Sequence, residues 1–337
     1  MQEDHKIVVS NLENIEILND EKTLSKKLTE INIKIPVTKI VSNKSDAINL
    51  INEIGLPVDI KAIYPFSSYD REKINEEDEK EEIIEKMLTI SKTKEIEIKK
   101  NCEKYKIIEI QLLSDLNGNV LEIANQESIL RKKRKIVKIS PIQSLEDDIY
   151  SLIINDVKKV IKNLNLVGVT KFTFYINTET NEYLLYKIDN NIFPVLKEYE
   201  KKLEKVIAKL LQNELLTNKL FQENDYNVFE ETNNKIYIID ELCEIKEGDS
   251  GNKIISSNDI IDVIQKKFLD NDKYKKNLLY ENMRIDELIQ ILQNKNEDVI
   301  EAVIAALKKH IDIELIAELT KIDIFLIRIL KNIFIFN

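Results

Sequence analysis

The segment from Gly168 to Pro194 is the feature that most restricts how this chain can fold. Its sequence, GVTKFTFYINTETNEYLLYKIDNNIFP, contains two runs in which apolar and polar side chains alternate, Lys171–Asn177 and Glu182–Ile188. The four residues between these runs are polar. Alternation with a period of two, rich in Tyr, Phe, Thr and Ile, is typical of strands that bury one face. The segment therefore predicts an antiparallel β-hairpin.

Helices and further strands are predicted around this hairpin. Apolar residues recur at helical spacing from Leu145 to Leu164, and a second long helix is predicted over Val195–Leu216. Asn117-Gly118 is typical of a hairpin turn. The basic run Arg131–Lys135 is interpreted as a solvated loop between strands rather than a phosphate-binding patch, because the chain as a whole is acidic. The strands predicted around that turn are Glu95–Lys99, Tyr105–Leu113 and Asn119–Asn125.

From about Tyr280 onward the pattern is helical only. Strands followed by helices predict an α+β chain with a small all-α region at its end. Thr320-Lys321-Ile322-Asp323 has the pattern of a capping box at the start of the last helix. The helices predicted in this region are Arg284–Gln293, Glu297–His310, Asp312–Leu319 and Ile322–Ile333.

Charge and composition exclude several function classes. A net charge of −10 argues against a general binder of nucleic acid or of anionic membranes. Cys102, Cys243, His5 and His310 are too few and too scattered for a disulfide framework or a zinc site. The apolar stretch Ile322–Phe336 is short and interrupted by charges, so it does not predict a membrane span. Without a signal-peptide pattern, a cytoplasmic location is expected.

Glycine is scarce, and this bears on any phosphate site. The chain has five glycines among 337 residues, against an average of about 7%. None belongs to a cluster, although a loop that wraps phosphates with consecutive backbone N–H groups generally needs several close together. The composition therefore argues against an ordinary nucleoside triphosphate site.

The order of helix, hairpin and later helices resembles an ATP-grasp fold followed by a small all-α domain. It is most similar to the first ATP-grasp half of the carbamoyl phosphate synthetase large chain, as a degenerate copy. The similarity covers most of the chain and is clearest over 18–56, 93–127, 136–192 and 298–333. It implies three parts, which are a remnant of the preceding domain at 1–19, an ATP-grasp-like domain at 20–270 and a helical oligomerisation-like domain at 271–337.

The resemblance also locates the metal-binding positions on the hairpin. In the family, a Gln on the first strand, a Glu ending the second and a following Asn hold magnesium against the ATP phosphates. Here the matching residues are Thr173, Lys187 and Asp189. Lysine cannot bind Mg²⁺, which needs oxygen donors. Asp189 is thus the one candidate metal ligand left at these positions, and the loss of the other two argues against magnesium binding.

Four further positions are candidates for contact with ATP. The family's phosphate-binding arginines fall at Lys22 and Lys61, which keep the positive charge but lose the bidentate fork. The hinge acidic residue beside the adenine falls at Lys100, and Cys102 falls where the hinge backbone meets adenine. The ribose-binding glutamate falls at Ile107. The alternative interpretation of Lys22 and Lys61 is that they are plain surface lysines.

The glycine-rich loop that closes over the phosphates in the family is replaced here by residues 65–70, PFSSYD. Because phosphoryl transfer depends on positioning and on neutralisation of charge by Mg²⁺, these losses predict an inactive domain with no catalytic residue. In this first hypothesis the protein is a binding or regulatory subunit. Its C-terminal helices would contact a second copy or a carbamoyl phosphate synthetase-type subunit.

Two alternatives stay open. One is an active ATP-dependent ligase with altered metal ligands, in which Lys22, Lys61 and Asp189 bind ATP and Glu127 assists. The other is a gene fragment without a selected function, which the resemblance suggests because the family's second synthetase half has no counterpart here. The intact helical faces and alternating strands indicate that the chain still folds.

Overall fold

A computed structural model describes nine stretches of the chain. They are residues 17–18, 20–66, 68–114, 120–131, 135–191, 235–242, 253–268, 280–294 and 299–335. The predicted Asn117-Gly118 turn and the predicted helix at 195–216 lie outside these residues. None of the described helices combines the length and the apolar character that crossing a bilayer requires.

A small antiparallel sheet follows the first described helix, α1 (Glu21–Glu30). Its strands have the spatial order β1-β4-β2-β3, and helices α2 (Lys44–Ile54) and α3 (Lys80–Ile90) are packed beside it. Ile60, Ile98 and Met87 are buried between this sheet and these helices. The strands are β1 (Thr38–Val41), β2 (Val58–Ala62), β3 (Arg71–Ile74) and β4 (Ile96–Lys100).

A larger, seven-stranded antiparallel sheet contains the predicted hairpin. Its spatial order is β11-β10-β7-β6-β5-β8-β9, and the hairpin is the pair β8–β9 at one edge. This prediction is confirmed, with Thr173 opposite Lys187 and a β-bulge directly after this pair. The strands are β5 (Lys106–Ser114), β6 (Val120–Arg131), β7 (Lys135–Ser140), β8 (Gly168–Asn177), β9 (Glu182–Asp189), β10 (Ile236–Leu242) and β11 (Lys253–Ser257).

Helix α4 (Asp147–Leu164) covers one face of the large sheet. Its residue Val157 and the strand residues Ile108 and Phe174 are fully or almost fully buried in one core cluster. Side chains alternate between the faces of a strand, so the neighbours of Ile108 on β5 point to the opposite face. That opposite face carries the candidate site.

The C-terminal helices pack on the same covered face of the sheet. Ile139 of β7 is paired through Glu127 with Ile108, and it shares a core cluster with Leu288, Val303 and Leu330 of these helices. The sheet and the last helices therefore have one common core; the division into domains at residue 271 stays a prediction. The helices are α5 (Ile260–Phe268), α6 (Ile285–Gln293), α7 (Val299–Lys308), α8 (Ile313–Thr320) and α9 (Ile324–Ile335).

The start of α9 corrects the predicted capping box. The Thr320 hydroxyl accepts a hydrogen bond from Ile322 N and donates to Ile316 O, so it serves the end of α8 instead. Asp323 caps α9, since its Oδ1 accepts a hydrogen bond from Phe325 N at 2.8 Å. The prediction was wrong because the chain turns between the two helices, and this turn places the cap on Asp323.

Candidate functional site

The two sheets approach each other through the faces opposite to those on which the described helices pack. On β2, Lys61 alternates with the buried Ile60 and Ala62, which places Lys61 on the face opposite α2 and α3. Lys99 of β4 lies on the same face, and its Nζ is 5.8 Å from the ring centroid of Tyr186 on β9. We call the space between these two faces the cleft.

Glu109 of β5 is the central buried charge on the large-sheet side of the cleft. Its Oε2 accepts hydrogen bonds from Gln126 Nε2 at 2.6 Å and from Lys138 Nζ at 2.5 Å, and its Oε1 is 3.5 Å from Lys171 Nζ. Burial by itself disfavours the charged carboxylate, but the ammonium groups of Lys138 and Lys171 outweigh this and lower the pKa of Glu109. Glu109 is therefore ionised at neutral pH.

Asp189 ends β9 beside two ammonium groups. Its Oδ2 is 3.4 Å from Lys171 Nζ and 3.2 Å from Lys187 Nζ. Its Oδ1 accepts a hydrogen bond from Asn191 N at 2.8 Å, which fixes the carboxylate at the sheet edge. Lys171 lies opposite Asp189 in the hairpin register, so the pairing of β8 with β9 builds this contact.

The charged side chains around Glu109 and Asp189 do not balance one another. Lys138, Lys171 and Lys187 contribute three ammonium groups, whereas Glu109 and Asp189 contribute two carboxylates. These five side chains together therefore carry one net positive charge. This local sign is the opposite of the net charge of −10 on the whole chain.

This group of residues does not fit a magnesium ion. Mg²⁺ demands oxygen ligands in near-octahedral geometry. At the hairpin positions the structure offers the Thr173 hydroxyl and the Asp189 carboxylate, with two ammonium groups at the Asp189 oxygen. Within the described stretches, no group of three or more His, Cys, Asp or Glu side chains could hold a metal. The prediction of Asp189 as a metal ligand stays a prediction.

Part of the backbone of the loop at 64–70 is hydrogen-bonded to neighbouring segments of the small-sheet region. Phe66 N donates to Ile90 O at 3.0 Å, and Tyr64 O accepts from Lys92 N at 3.1 Å. At the other end of the loop, Asp70 O accepts from Ala62 N at 2.8 Å. Because the Phe66 amide is already used, it does not contribute to a cradle of the kind that consecutive free amides form around phosphate.

The structure separates the predicted ATP-contacting residues. Lys61 faces the cleft, but Lys100 Nζ donates to Ile54 O at 2.9 Å, at the C-terminal end of α2 on the other face of the small sheet. A cation is stabilised there by the helix dipole. Lys22 lies in α1, with its side chain outside the described part of the structure.

Cys102 lies in the connection between the two sheets. It is buried against Tyr105 and Leu184, and burial raises the pKa of its thiol to about 11. Tyr105 OH donates to Glu182 Oε2 at 2.7 Å, which ties this connection to the start of β9. The thiol is therefore a protonated packing group at neutral pH.

Arg131 corrects the interpretation of the basic run as a solvated loop. Its guanidinium donates hydrogen bonds to Glu103 O, at 3.3 Å, and to Tyr105 O. Burial lowers the pKa of Arg131. The solvated-loop interpretation was wrong for this residue, because strand β6 continues to Arg131 and presents its side chain to the inter-sheet connection. Residues 132–134 lie outside the described residues.

Glu127 lies on the covered face of the sheet, away from the cleft. It is paired with Ile108 and binds Lys106 Nζ at 2.7 Å, and it accepts hydrogen bonds from the backbone N of Gln143 and Ser144 at 2.7 Å and 3.1 Å. Lys106 in turn is 3.0 Å from Asp323 Oδ2. Glu127 thus holds a loop and the start of α9, and the structure does not bring it to Asp189.

Three residues of the cleft were not identified from the sequence. Lys171 could have been found, because the hairpin register places it opposite Asp189. Gln126 and Lys138 lie on strands β6 and β7, and no local pattern indicates that they meet Glu109. Their shared site arises from the order of strands in the sheet.

Comparison with protein families supports the implied fold. Residues 20–192 match the family described as "Carbamoyl-phosphate synthase L chain, ATP binding domain". This range is just over half of the chain and ends directly after the hairpin.

Individual relatives match over the same region. The arginine-specific large chain of mitochondrial carbamoyl phosphate synthase from Neurospora crassa is 24% identical over 188 residues, which is 55% of this chain and 16% of that protein. The carbamoyl phosphate synthase large chain of Agathobacter rectalis is 23% identical over 191 residues, or 56% of this chain and 18% of that protein. The chain thus spans less than a fifth of the length of these relatives.

Solved structures share the fold. The biotin carboxylase domain of a thermophilic 2-oxoglutarate carboxylase, bound to bicarbonate, aligns with a TM-score of 0.57 at 15% identity over 86% of this chain and 72% of that chain. Phosphoribosylglycinamide synthetase from Anaerococcus prevotii aligns with a TM-score of 0.56 at 15% identity over 78% of this chain and 75% of that chain. At such identities the likeness establishes the ATP-grasp architecture alone.

Proposed function

The chain belongs to the family of carbamoyl-phosphate synthase large-chain ATP-binding domains, and from this premise we propose that it is a catalytically inactive member that acts as a binding or regulatory subunit. The observation that carries the proposal is the pair of ammonium groups, from Lys171 and Lys187, at 3.4 Å and 3.2 Å from Asp189 Oδ2. They occupy the hairpin edge where the family's metal ligands are expected.

Loss of the metal site removes the main source of catalysis in this reaction class. In phosphoryl transfer the metal bridges phosphate oxygens and neutralises the charge that develops on them, and the protein otherwise contributes positioning. An ammonium group can pair with phosphate, but it does not bridge two oxygens by coordination. The loop at 64–70, whose backbone is hydrogen-bonded to Ala62, Ile90 and Lys92, also lacks the clustered glycines that would let it close over phosphates.

ATP remains the proposed ligand class, since the family is an ATP-binding one. In this proposal Lys61 on the small sheet and the lysines of the large sheet supply the positive charge, and the connection around Cys102 lies beside the base. Lys22 and Lys100 are not needed for this role. The protein is proposed to act in the cytoplasm.

Contact with partners is proposed to run through the C-terminal helices. Ile285 of α6 and Leu315 of α8 are 52% and 38% exposed, although both are large apolar side chains. A second copy of the chain or a carbamoyl phosphate synthetase-type subunit would cover them. Sedimentation velocity tests the first case: self-association that Leu315→Asp abolishes supports it, and a monomer at all concentrations contradicts it.

The central test of the proposal is ADP formation by the purified protein with ATP and excess Mg²⁺, in the presence of bicarbonate and of simple carboxylates. We expect no ADP above the level given by Asp189→Asn, prepared in the same way as a control for contaminating ATPases. Magnesium-dependent ADP formation by the wild type that Asp189→Asn abolishes would contradict the proposal and favour an active ligase with altered metal ligands.

A further inference from the structure

We propose that the cleft binds a phosphate-bearing anion in metal-free form, with the ammonium groups of Lys171 and Lys187 in place of magnesium, so that Mg²⁺ weakens binding instead of promoting it. This inference rests on the proposed function in one respect, namely that the cleft is a binding site and not a catalytic centre. It concerns the polyphosphate group, which nucleotides and inorganic polyphosphate share.

The first argument is that the N–H donors of these two ammonium groups make no hydrogen bond within the described residues. Lys171 Nζ is 3.5 Å from Glu109 and 3.4 Å from Asp189, and Lys187 Nζ is 3.2 Å from Asp189. These are ion-pair contacts, and within the described residues neither lysine donates a hydrogen bond. Each ammonium carries three N–H donors. A phosphate oxygen would therefore find N–H donors that the contacts among the described residues have not used.

The second argument is the net positive charge of these side chains and their partial burial. Lys171 is only 12% exposed by side chain, whereas Lys187 is 56% exposed, so the group reaches from the protein interior to solvent. A net positive charge in such partly desolvated surroundings attracts an anion more strongly than a surface lysine does. Across the cleft, Lys61 is paired in register with Glu97 on one side and Arg71 on the other. Two of these three side chains are cations, so they add one net positive charge to the opposite wall.

The third argument is an unpartnered buried acceptor beside this group. Gln126 is 1% exposed, and its Nε2 is committed to Glu109, which fixes the orientation of the amide. Its Oε1 is buried and accepts no hydrogen bond from the described residues. A buried acceptor without a donor costs free energy, and the inference is that the donor arrives with the ligand. A hydroxyl of a protonated phosphate or a water that accompanies the ligand would supply it.

The expected effect of magnesium follows from this arrangement. In the family, as the resemblance implies, the metal screens the phosphate charge from acidic protein ligands. Here the protein presents cations instead, so Mg²⁺ bound to the polyphosphate would cancel the charge that the lysines recognise. It would also be repelled by Lys171 and Lys187. The sign of the magnesium effect is therefore reversed.

The test is calorimetric titration of the full chain with tripolyphosphate and with ATP, each in EDTA and in excess Mg²⁺. We expect both to bind in EDTA and both to bind at least about fivefold more weakly in Mg²⁺. Tighter binding of ATP than of tripolyphosphate would identify a nucleotide as the source of the polyphosphate group, and equal binding would identify inorganic polyphosphate.

Two variants with opposite expected signs sharpen the test. Lys187→Gln should weaken metal-free binding by about tenfold, the value of one lost charged hydrogen bond. Asp189→Asn should tighten metal-free binding, because it removes a negative charge from the cleft. If Asp189 were instead a metal ligand, the same substitution would weaken binding. Lys158→Gln, on the exposed side of α4, is the matched control and should leave binding unchanged. Circular dichroism verifies that all three variants fold.

Binding that requires Mg²⁺ and is lost in Asp189→Asn would overturn the inference, and so would the absence of binding in EDTA for both ligands. Neither result needs ADP formation, so the inference can fail while the proposed inactive binding role survives. Conversely, ADP formation would refute the proposed function whatever the titrations give.

Discussion

Buried charged side chains are the residue-scale feature that distinguishes the large sheet. Glu109 and Lys138 are nearly inaccessible on the cleft face, and Lys106 and Glu127 are nearly inaccessible on the covered face. An unpaired charge in such a place would cost several kcal/mol, so each is compensated by an opposite charge or by hydrogen bonds. Removal of one partner should therefore show in the stability of the protein.

Glu109 gives a pH-dependent prediction of this kind. Its folded-state pKa is lowered below the ordinary value of 4.5, mainly because Lys138 and Lys171 outweigh the effect of burial. A lowered pKa means that the carboxylate stabilises the fold fully above about pH 4.5 and loses this contribution as the pH falls through the folded-state pKa.

The measurement is urea unfolding of the wild type and of Glu109→Gln from pH 7 to pH 3. At pH 7 the variant should be less stable by about 3 kcal/mol, the typical cost of removing one partner of a buried ion pair. The difference should narrow as the pH falls below about 4.5. Free energies of unfolding that stay equally far apart over the whole range would contradict the assigned ionisation of Glu109.

At the scale of elements, the sequence predicts what is local and misses what depends on strand order. The hairpin β8–β9 was predictable because each strand buries one face and therefore alternates. Strands β3 and β11 are short edge strands with charged or hydroxyl side chains, and no clear period marks them. Strand β6 extends beyond Asn125, its predicted end. The prediction stopped there because Gln126, Glu127 and Ser128 are polar, whereas in the structure each has a hydrogen-bond partner on the neighbouring strand β5.

The dependence on strand order also explains which residues of the candidate site could be predicted from the sequence. Thr173, Lys187 and Asp189 were located because the hairpin and the resemblance fix their positions in one local segment. The ammonium of Lys138 reaches Glu109 only because β7, β6 and β5 are neighbours in the sheet. Lys100 was predicted to lie beside ATP, but its side chain points away from the cleft. Successive residues of β4 point to opposite faces of the sheet, so Lys99 faces the cleft and Lys100 faces α2.

Helix α9 supplies a prediction at this scale. Leu330 is fully buried in the core that the last helices share with β6, β7 and β10. Leu330→Ala should lower the free energy of unfolding by about 2–5 kcal/mol, the range for such cavities in cores. Arg328→Ala, at an exposed position of the same helix, should change it by less than about 0.5 kcal/mol.

Far-ultraviolet circular dichroism and tyrosine fluorescence during urea unfolding would measure this effect. Because the helices and the sheet have one core, both signals should shift together in Leu330→Ala, as a single transition. A separate early transition of the helical signal, with the sheet unaffected, would instead identify the C-terminal helices as an independent domain.

On the scale of the whole molecule, the chain has the ATP-grasp architecture, and its cleft carries the ammonium groups of Lys171 and Lys187 beside Asp189. A fold can persist while its site changes, because the covered core and the cleft side chains are on opposite faces of the same strands. Here the covered face binds α4 and the C-terminal helices, whereas the cleft face carries lysines next to Asp189. The chain is acidic overall, with a net charge of −10, whereas the five charged side chains around Glu109 and Asp189 carry one net positive charge.

The most direct test of this account is a titration with Mn²⁺, a spectroscopic substitute for Mg²⁺, followed by the electron paramagnetic resonance signal of the free ion. The account predicts that wild type binds no more Mn²⁺ than Asp189→Asn, since ammonium groups stand at the metal position, and that Lys187→Glu gains a site. One Mn²⁺ bound per wild-type chain and lost in Asp189→Asn would contradict it.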